Sequence, residues 1–245
     1  MHRVAIIAAL EREVSGLTTS WNRVEQHYDG RTFIFFERDE MVIICGGIGL
    51  EAARRAAEAV ISLYHPTQLL SVGFAGALTP ELRVGDVIEA SVVIDARDGS
   101  RAFVEGVDSQ NSLVTYMSVA GVQQKKNLGH AFDAKAVDME AAAVAAAAVA
   151  HGLPFAATKV ISDELNFEMP QMARFIDARG SFRTASFAAF VALRPWLWRR
   201  VATLAGNSRK AAAVLSGHLE RWVRDLTQAP EPVAATSGLQ ARGRK

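Results

Sequence analysis

Short apolar runs alternate along this chain with alanine-rich stretches of helical spacing, a rhythm that predicts repeated strand–helix units. Residues 4–10 (VAIIAAL) read as a first strand and 11–18 as the start of a helix. Residues 32–37 and 41–45 form a hairpin pair around a charged turn. The second of these runs leads through Gly46-Gly47-Ile48-Gly49 into a helix over 51–64, an order that lets backbone amides, Gly47 among them, approach a ligand. A strand over 68–72 then enters Gly73-Phe74-Ala75-Gly76-Ala77, read as a second glycine loop, and 82–88 turns back into a strand. Two glycine loops after successive strands place one shared crevice at the carboxyl end of a sheet, where ligands of open α/β folds sit.

The most informative stretch is 136–163. Residues 141–150, AAAVAAAAVA, combine high helix propensity with no polar face, so they predict a helix buried on several sides. Gly152 and Pro154 end it, and 155–161 reads as a central strand that delivers Ser162 and Asp163 at its carboxyl end. Glu140 opens the helix, where the dipole favours a carboxylate, so a helix-start acid competes with any functional reading of it. Residues 95–111 read as a polar loop, 113–119 as a strand, and 123–130 as a polar helix carrying Lys125 and Lys126. Beyond Asp163 come an element over 169–178 and a long helical stretch over 182–226, interrupted near Pro195 and Gly206. Residues 228–245 lack an apolar period and read as a disordered tail, leaving one domain over 1–227.

Composition narrows the function. A net charge of +1 gives no basic excess for nucleic acid, and 245 residues, half of them hydrophobic, suffice for a full core. The one cysteine, Cys45, lies in the apolar run MVIIC, which rules out a disulfide framework and places the protein in a reducing cytoplasm. The amino-terminal run is too short for a signal segment, and 186–193 falls short of the roughly 20 apolar residues of a membrane span. The PWLWRR segment at 195–200 suits either a surface helix packed by its tryptophans or peripheral contact with a membrane. The six histidines show no ligand spacing, so neither a metal nor a cofactor is expected.

Four blocks then carry a resemblance: VAIIAALEREV, GGIGLEAA, VGFAGALTPELRVGDVI, and AVDMEAAAVA with VISD beyond it. In this order they resemble the nucleoside phosphorylase and nucleosidase superfamily, most closely its methylthioadenosine/S-adenosylhomocysteine nucleosidase branch. The resemblance implies an α/β fold, a three-layer α/β/α sandwich around a central mixed sheet, assembled as a homodimer or larger oligomer. It also implies a small-molecule purine nucleoside as substrate, whose N-glycosidic bond is cleaved through an oxocarbenium-like sugar with protonation of the departing base. Asp163 matches the acid that promotes protonation of the purine, and Ser162 precedes it in the same motif. Glu140 matches the ribose clamp, Met139 the residue packing on the sugar, and Glu13 the acid that orients or deprotonates water, with Glu11 as its rival.

Several residues depart from that pattern. Ser71 and Val72 stand where phosphorylases of the superfamily carry a phosphate-binding arginine, which favours hydrolysis. Phe74 replaces a small polar residue and either reshapes the pocket or fills it. Lys159, at a position often held by arginine, is placed to pair with Asp163 or Glu140, or to point into another layer. The chain between Asp86 and Met139 is shorter than the family pattern, with 118–121 as a remnant of the base-stacking wall. The longer carboxyl-terminal helices, with Trp196, Trp198 and Trp222, offer a lid, a partner surface or a membrane-facing patch, and resemble hopanoid-associated phosphorylases in this. The readings are thus a nucleosidase, a phosphorylase of a bulkier or lipid-linked nucleoside, or a catalytically reduced nucleoside-binding protein.

Overall fold

Strand β1 (Val4–Ala8) is buried along its whole length and sets the layering of the molecule. The computed structural model describes residues 4–107, 110–177 and 179–228; the expected tail, apart from Gln228, lies outside the described residues. Because side chains alternate along a strand, Ala5 and Ile7 enter the core beneath α2 (Leu50–Tyr64) and α4 (Ala141–Ala150). Val4, Ile6 and Ala8 enter a second core, shared with α1 (Glu11–Thr18) and the long α6 (Pro195–Gln228). Helices therefore cover both faces of one mixed sheet, the three-layer sandwich expected from the resemblance.

In the sheet, β1 runs parallel to β4 (Met41–Cys45) and β5 (Gln68–Ala77). The antiparallel β2 (Asn22–Tyr28) and β3 (Arg31–Arg38) extend it beyond β4. The long β5 divides the sheet: it pairs with β1, then with the parallel β11 (Phe155–Asp163), and by its last residues with the antiparallel β10 (Ala136–Asp138). From β10 the sheet continues through β9 (Ser112–Thr115), β7 (Val92–Asp95) and β8 (Arg101–Phe103), while β6 (Val87–Glu89) flanks β11. Helix α3 (Val122–Phe132) packs through Leu128 against the β7, β9 and β10 side. A short α5 (Thr184–Ala192) precedes α6.

The structure corrects several local expectations. Gly73 to Ala77 is not a loop but the end of β5, held from both sides by β11 and β10. Residues 101–103 form β8 inside the expected polar loop, and the strand expected over 113–119 ends at Thr115. Strand β2, with its mostly polar, half-exposed NRVEQHY, carries no apolar signal because only one of its edges is paired. Helix α6 runs unbroken through Gly206, which faces open space. Its buried stripe of Ala211, Leu215, Leu219 and Val223 outweighs a glycine deficit of about 1 kcal/mol. The element expected over 169–178 contains one 3₁₀ turn, Ala173–Phe175, and residue 178 lies outside the described residues.

Candidate active site

The start of α1, the junction of β10 with α4, and the end of β11 meet at one cavity of about 150 Å³. Each brings a buried carboxyl group: Glu13, Glu140 and Asp163. Burying carboxyls next to one another is costly unless each has partners, so the hydrogen bonds define the site.

Glu13 folds back over the start of α1, where its Oε2 accepts the backbone amides of Ala9 at 3.1 Å and Leu10 at 3.2 Å. It rests against Gly73, which has a φ of +137; a Cβ there would lie 3.0 Å from the same oxygen. Burial raises the Glu13 pKa above its ordinary value, with Lys159 and the two amides pulling the other way. Glu11, the rival acid, is exposed.

The acid that starts α4 is Asp138 rather than Glu140. Asp138 Oδ2 accepts the Ala141 amide at 2.8 Å, and its Oδ1 accepts the Thr115 hydroxyl at 2.6 Å, while Thr115 in turn accepts the Ala142 amide at 2.9 Å. With the helix end satisfied in this way, Glu140 makes no cap and reaches across to the glycine loop, accepting the Gly49 amide at 2.8 Å. Burial pushes its carboxyl up to about 7, against the pull of Lys159 and with the push of Asp138 and Glu13.

Lys159 lies wholly buried in β11, its ammonium 3.0 Å from Asp138 and 3.2 Å from the Val72 carbonyl. Burial disfavours its charge, but Asp138, Glu140 and Glu13 together outweigh burial and raise its pKa. Its ion-pair partner is thus neither of the two expected acids. The cation on Asp163 is instead Lys125, buried on α3, which forms an ion pair with Oδ2 and also donates to the Glu164 carbonyl at 2.8 Å. Ser162 donates to the other carboxyl oxygen at 2.8 Å. A register shift between Ile161 and Asp163 in the pairing of β11 with β5 re-aims this pair of residues toward the cavity.

Phe74 and Met139 line the cavity wall, as do Ser118, Val119 and Ala120 after β9. Leu204 and Ser208 of α6 reach the same cavity, so the carboxyl-terminal extension closes one side of it. Gly47 does not line it. Its φ of +103 and a close approach to the Arg179 carbonyl, 3.0 Å from where a Cβ would stand, give it a backbone role, and Ile48 takes the place at the cavity. Arg31 ties the two segments together through the Gly46 and Arg179 carbonyls at 3.2 and 2.9 Å. A second cavity of about 600 Å³ adjoins beyond Met139, Ile48 and Ile176.

Sequence reasoning missed Lys125 and Asp138. The signal for Lys125 is its place one helical turn before Leu128, the buried apolar residue of α3; for Asp138 it is a carboxylate three residues before the first free amide of an alanine helix. Among the described residues no group of three histidine, cysteine, aspartate or glutamate side chains is arranged to hold a metal ion, and no helix is long and apolar enough to cross a membrane.

A family profile described as "Phosphorylase superfamily" matches residues 3–116 and 112–193. The chain is 28% identical over 208 residues to 5'-methylthioadenosine/S-adenosylhomocysteine nucleosidase of Marinomonas sp. (strain MWYL1), covering 70% of this chain and 90% of that protein. Its fold is similar to that of Arabidopsis thaliana 5'-methylthioadenosine nucleosidase, with a TM-score of 0.72, 16% identity, and coverage of 94% and 98% of the two chains. It is also similar to the Helicobacter pylori 5'-methylthioadenosine/S-adenosyl homocysteine nucleosidase, with a TM-score of 0.67, 17% identity, and coverage of 91% and 98%.

Proposed function

Because the chain belongs to the phosphorylase superfamily, we propose that it cleaves the N-glycosidic bond of a purine nucleoside by hydrolysis, on a methylthioadenosine- or S-adenosylhomocysteine-type substrate. The convergence of Glu13, Glu140 and Asp163 on one cavity supports this reading. In it, Asp163 delivers a proton to the departing purine and Ser162 fixes the carboxyl group. Glu140 holds the ribose hydroxyls, with Met139 against the sugar, and Glu13 orients the attacking water. Carboxylates on either side of the sugar favour the cationic character of the transition state. Phe74 shapes the base or sugar wall without closing the cavity.

Hydrolysis is favoured over phosphorolysis by the cations available. Among the described residues lining the cavity the basic side chains are Arg12, which is exposed, and Lys125, which is held by Asp163. Phosphate binding calls for a positively charged cradle, and Ser71 and Val72 contribute none. Adenine release from a panel of 5'-substituted adenosines, with and without phosphate, tests the reading: free sugar in both buffers is expected, and a strict phosphate requirement with sugar 1-phosphate as product would replace hydrolysis by phosphorolysis.

Two further proposals concern partners. Phe103, Met117 and Val149 are exposed apolar side chains on the α4 and β8 side, which supports a homodimer through that face. Leu193, Trp196 and Trp198 are exposed at the junction of α5 and α6, among Arg194, Arg199 and Arg200, which supports peripheral contact with an anionic membrane. A cytoplasmic location accords with the single, unpaired Cys45.

A further inference from the structure

We infer that Lys125 supplies, through Asp163, the proton that the leaving purine takes up. The inference rests on the proposed glycosidic chemistry and deepens it. Both Asp163 oxygens already accept a donor, Ser162 on one side and Lys125 on the other. Of these two donors only Lys125 carries a charge, so it is the one placed to pass a proton into the Asp163 carboxyl group. The Lys125 ammonium is buried with it, at 1% exposure, and its remaining hydrogen bonds go to backbone carbonyls of the same segment, those of Asp163 and Glu164. A lysine that served only to fill the core of α3 would need no such aim, and burying its ammonium costs more than an apolar side chain would.

The strand beneath is shaped to admit the pair. A Cβ at Gly76 would lie 3.0 Å from Asp163 Oδ2 and 3.0 Å from Lys125 Cε, so β5 carries no side chain where the two meet. In the reaction, one N–H bond of the Lys125 ammonium breaks and its proton passes to Asp163. The carboxyl proton passes to a purine ring nitrogen as the bond between the sugar and the base breaks, and the base keeps the bonding electron pair. Lys125 is left as a neutral amine and Asp163 as a carboxylate, so the pair changes from neutral to a net charge of −1 while the sugar becomes cationic. Solvent returns the proton to Lys125 after the base leaves. Lys125 is thus a positioning residue that also carries the proton, whereas Lys159, paired with Asp138, has no part in it.

The test compares two leaving groups within each protein. Methylthioadenosine needs a protonated base, whereas p-nitrophenyl riboside releases a stable phenolate without one. In Lys125→Met, kcat on methylthioadenosine is expected to fall by about 10²-fold or more, in the range of lost general acid catalysis, with less than a tenfold change on the nitrophenyl riboside. Asp163→Asn should show the same selectivity. Because the ratio of the two rates is taken within one preparation, a partly unfolded variant does not distort it. Equal loss on both substrates, or no loss on methylthioadenosine, would overturn the inference while leaving the nucleosidase reading intact. A wild-type protein that cleaves neither substrate would overturn both.

Discussion

At the residue scale, the site is a set of four buried carboxyl groups divided between two lysines, and the division assigns their roles. Asp138 belongs to the framework: it starts α4, holds Thr115 and neutralises Lys159. Asp138→Asn leaves the Lys159 ammonium buried with a weaker partner, so a loss of about 3–5 kcal/mol is expected in urea unfolding, the range for breaking one side of a buried pair. Glu140 has the opposite character, with a carboxyl raised to about 7 and no structural cap to make. Glu140→Gln keeps the size and the Gly49 contact but loses the ionisable acceptor proposed for the ribose hydroxyls. Its KM for methylthioadenosine should rise at least tenfold in steady-state assays, with a smaller change in unfolding free energy than for Asp138→Asn.

At the scale of elements, the cavity depends on how closely segments far apart in sequence approach one another. The segment after the 3₁₀ turn lies on the glycine loop, and a Cβ at Gly180, which has a φ of +77, would come within 2.5 Å of the Ile48 carbonyl. Backbone on both sides cannot yield as a flexible side chain would. Gly180→Ala should therefore cost about 1–3 kcal/mol in thermal or urea unfolding and lower activity by displacing Ile48 from the cavity wall. The same elements show what is legible from sequence. The α4 helix and β11 follow from composition alone, because an unbroken apolar segment between a carboxylate and a glycine–proline stop admits few other structures. Gly73 and Gly76 mislead for a physical reason: they resemble loop glycines, yet they belong to β5 and make room for Glu13 and for the Lys125–Asp163 pair. Lys125 is hidden because its polar helix reads as a solvated face, and only tertiary packing turns that face inward.

At the scale of the whole molecule, the buried acids couple the site to stability. Glu13 and Glu140 both have pKa values raised by burial above the ordinary 4.5, Glu140 to about 7. Between those values the folded protein binds more protons than the unfolded chain, so unfolding free energy is expected to fall as pH rises. The stabilisation is fully present below about pH 4.5 and, for Glu140, is lost as pH passes through about 7. Urea unfolding at pH 5 and pH 8 measures the slope, and Glu140→Gln should flatten it; a steeper slope in the variant would contradict the assignment. The carboxyl-terminal extension, legible as helix but not as core, is equally part of the whole. Leu215 and Leu219 are buried against the sheet, while Leu204 and Ser208 of the same helix reach the cavity. Leu215→Ala should accordingly cost about 2–5 kcal/mol in the same unfolding assay, as for other large buried aliphatic side chains.

The most direct test of a carboxyl-driven nucleosidase is adenine release from methylthioadenosine by the purified protein in phosphate-free buffer, with Asp163→Asn alongside. Release of free adenine and methylthioribose by the wild type, reduced about 10²-fold or more in Asp163→Asn, is the predicted result. No release by a folded wild-type protein across methylthioadenosine and S-adenosylhomocysteine, or an undiminished rate in Asp163→Asn, would contradict it.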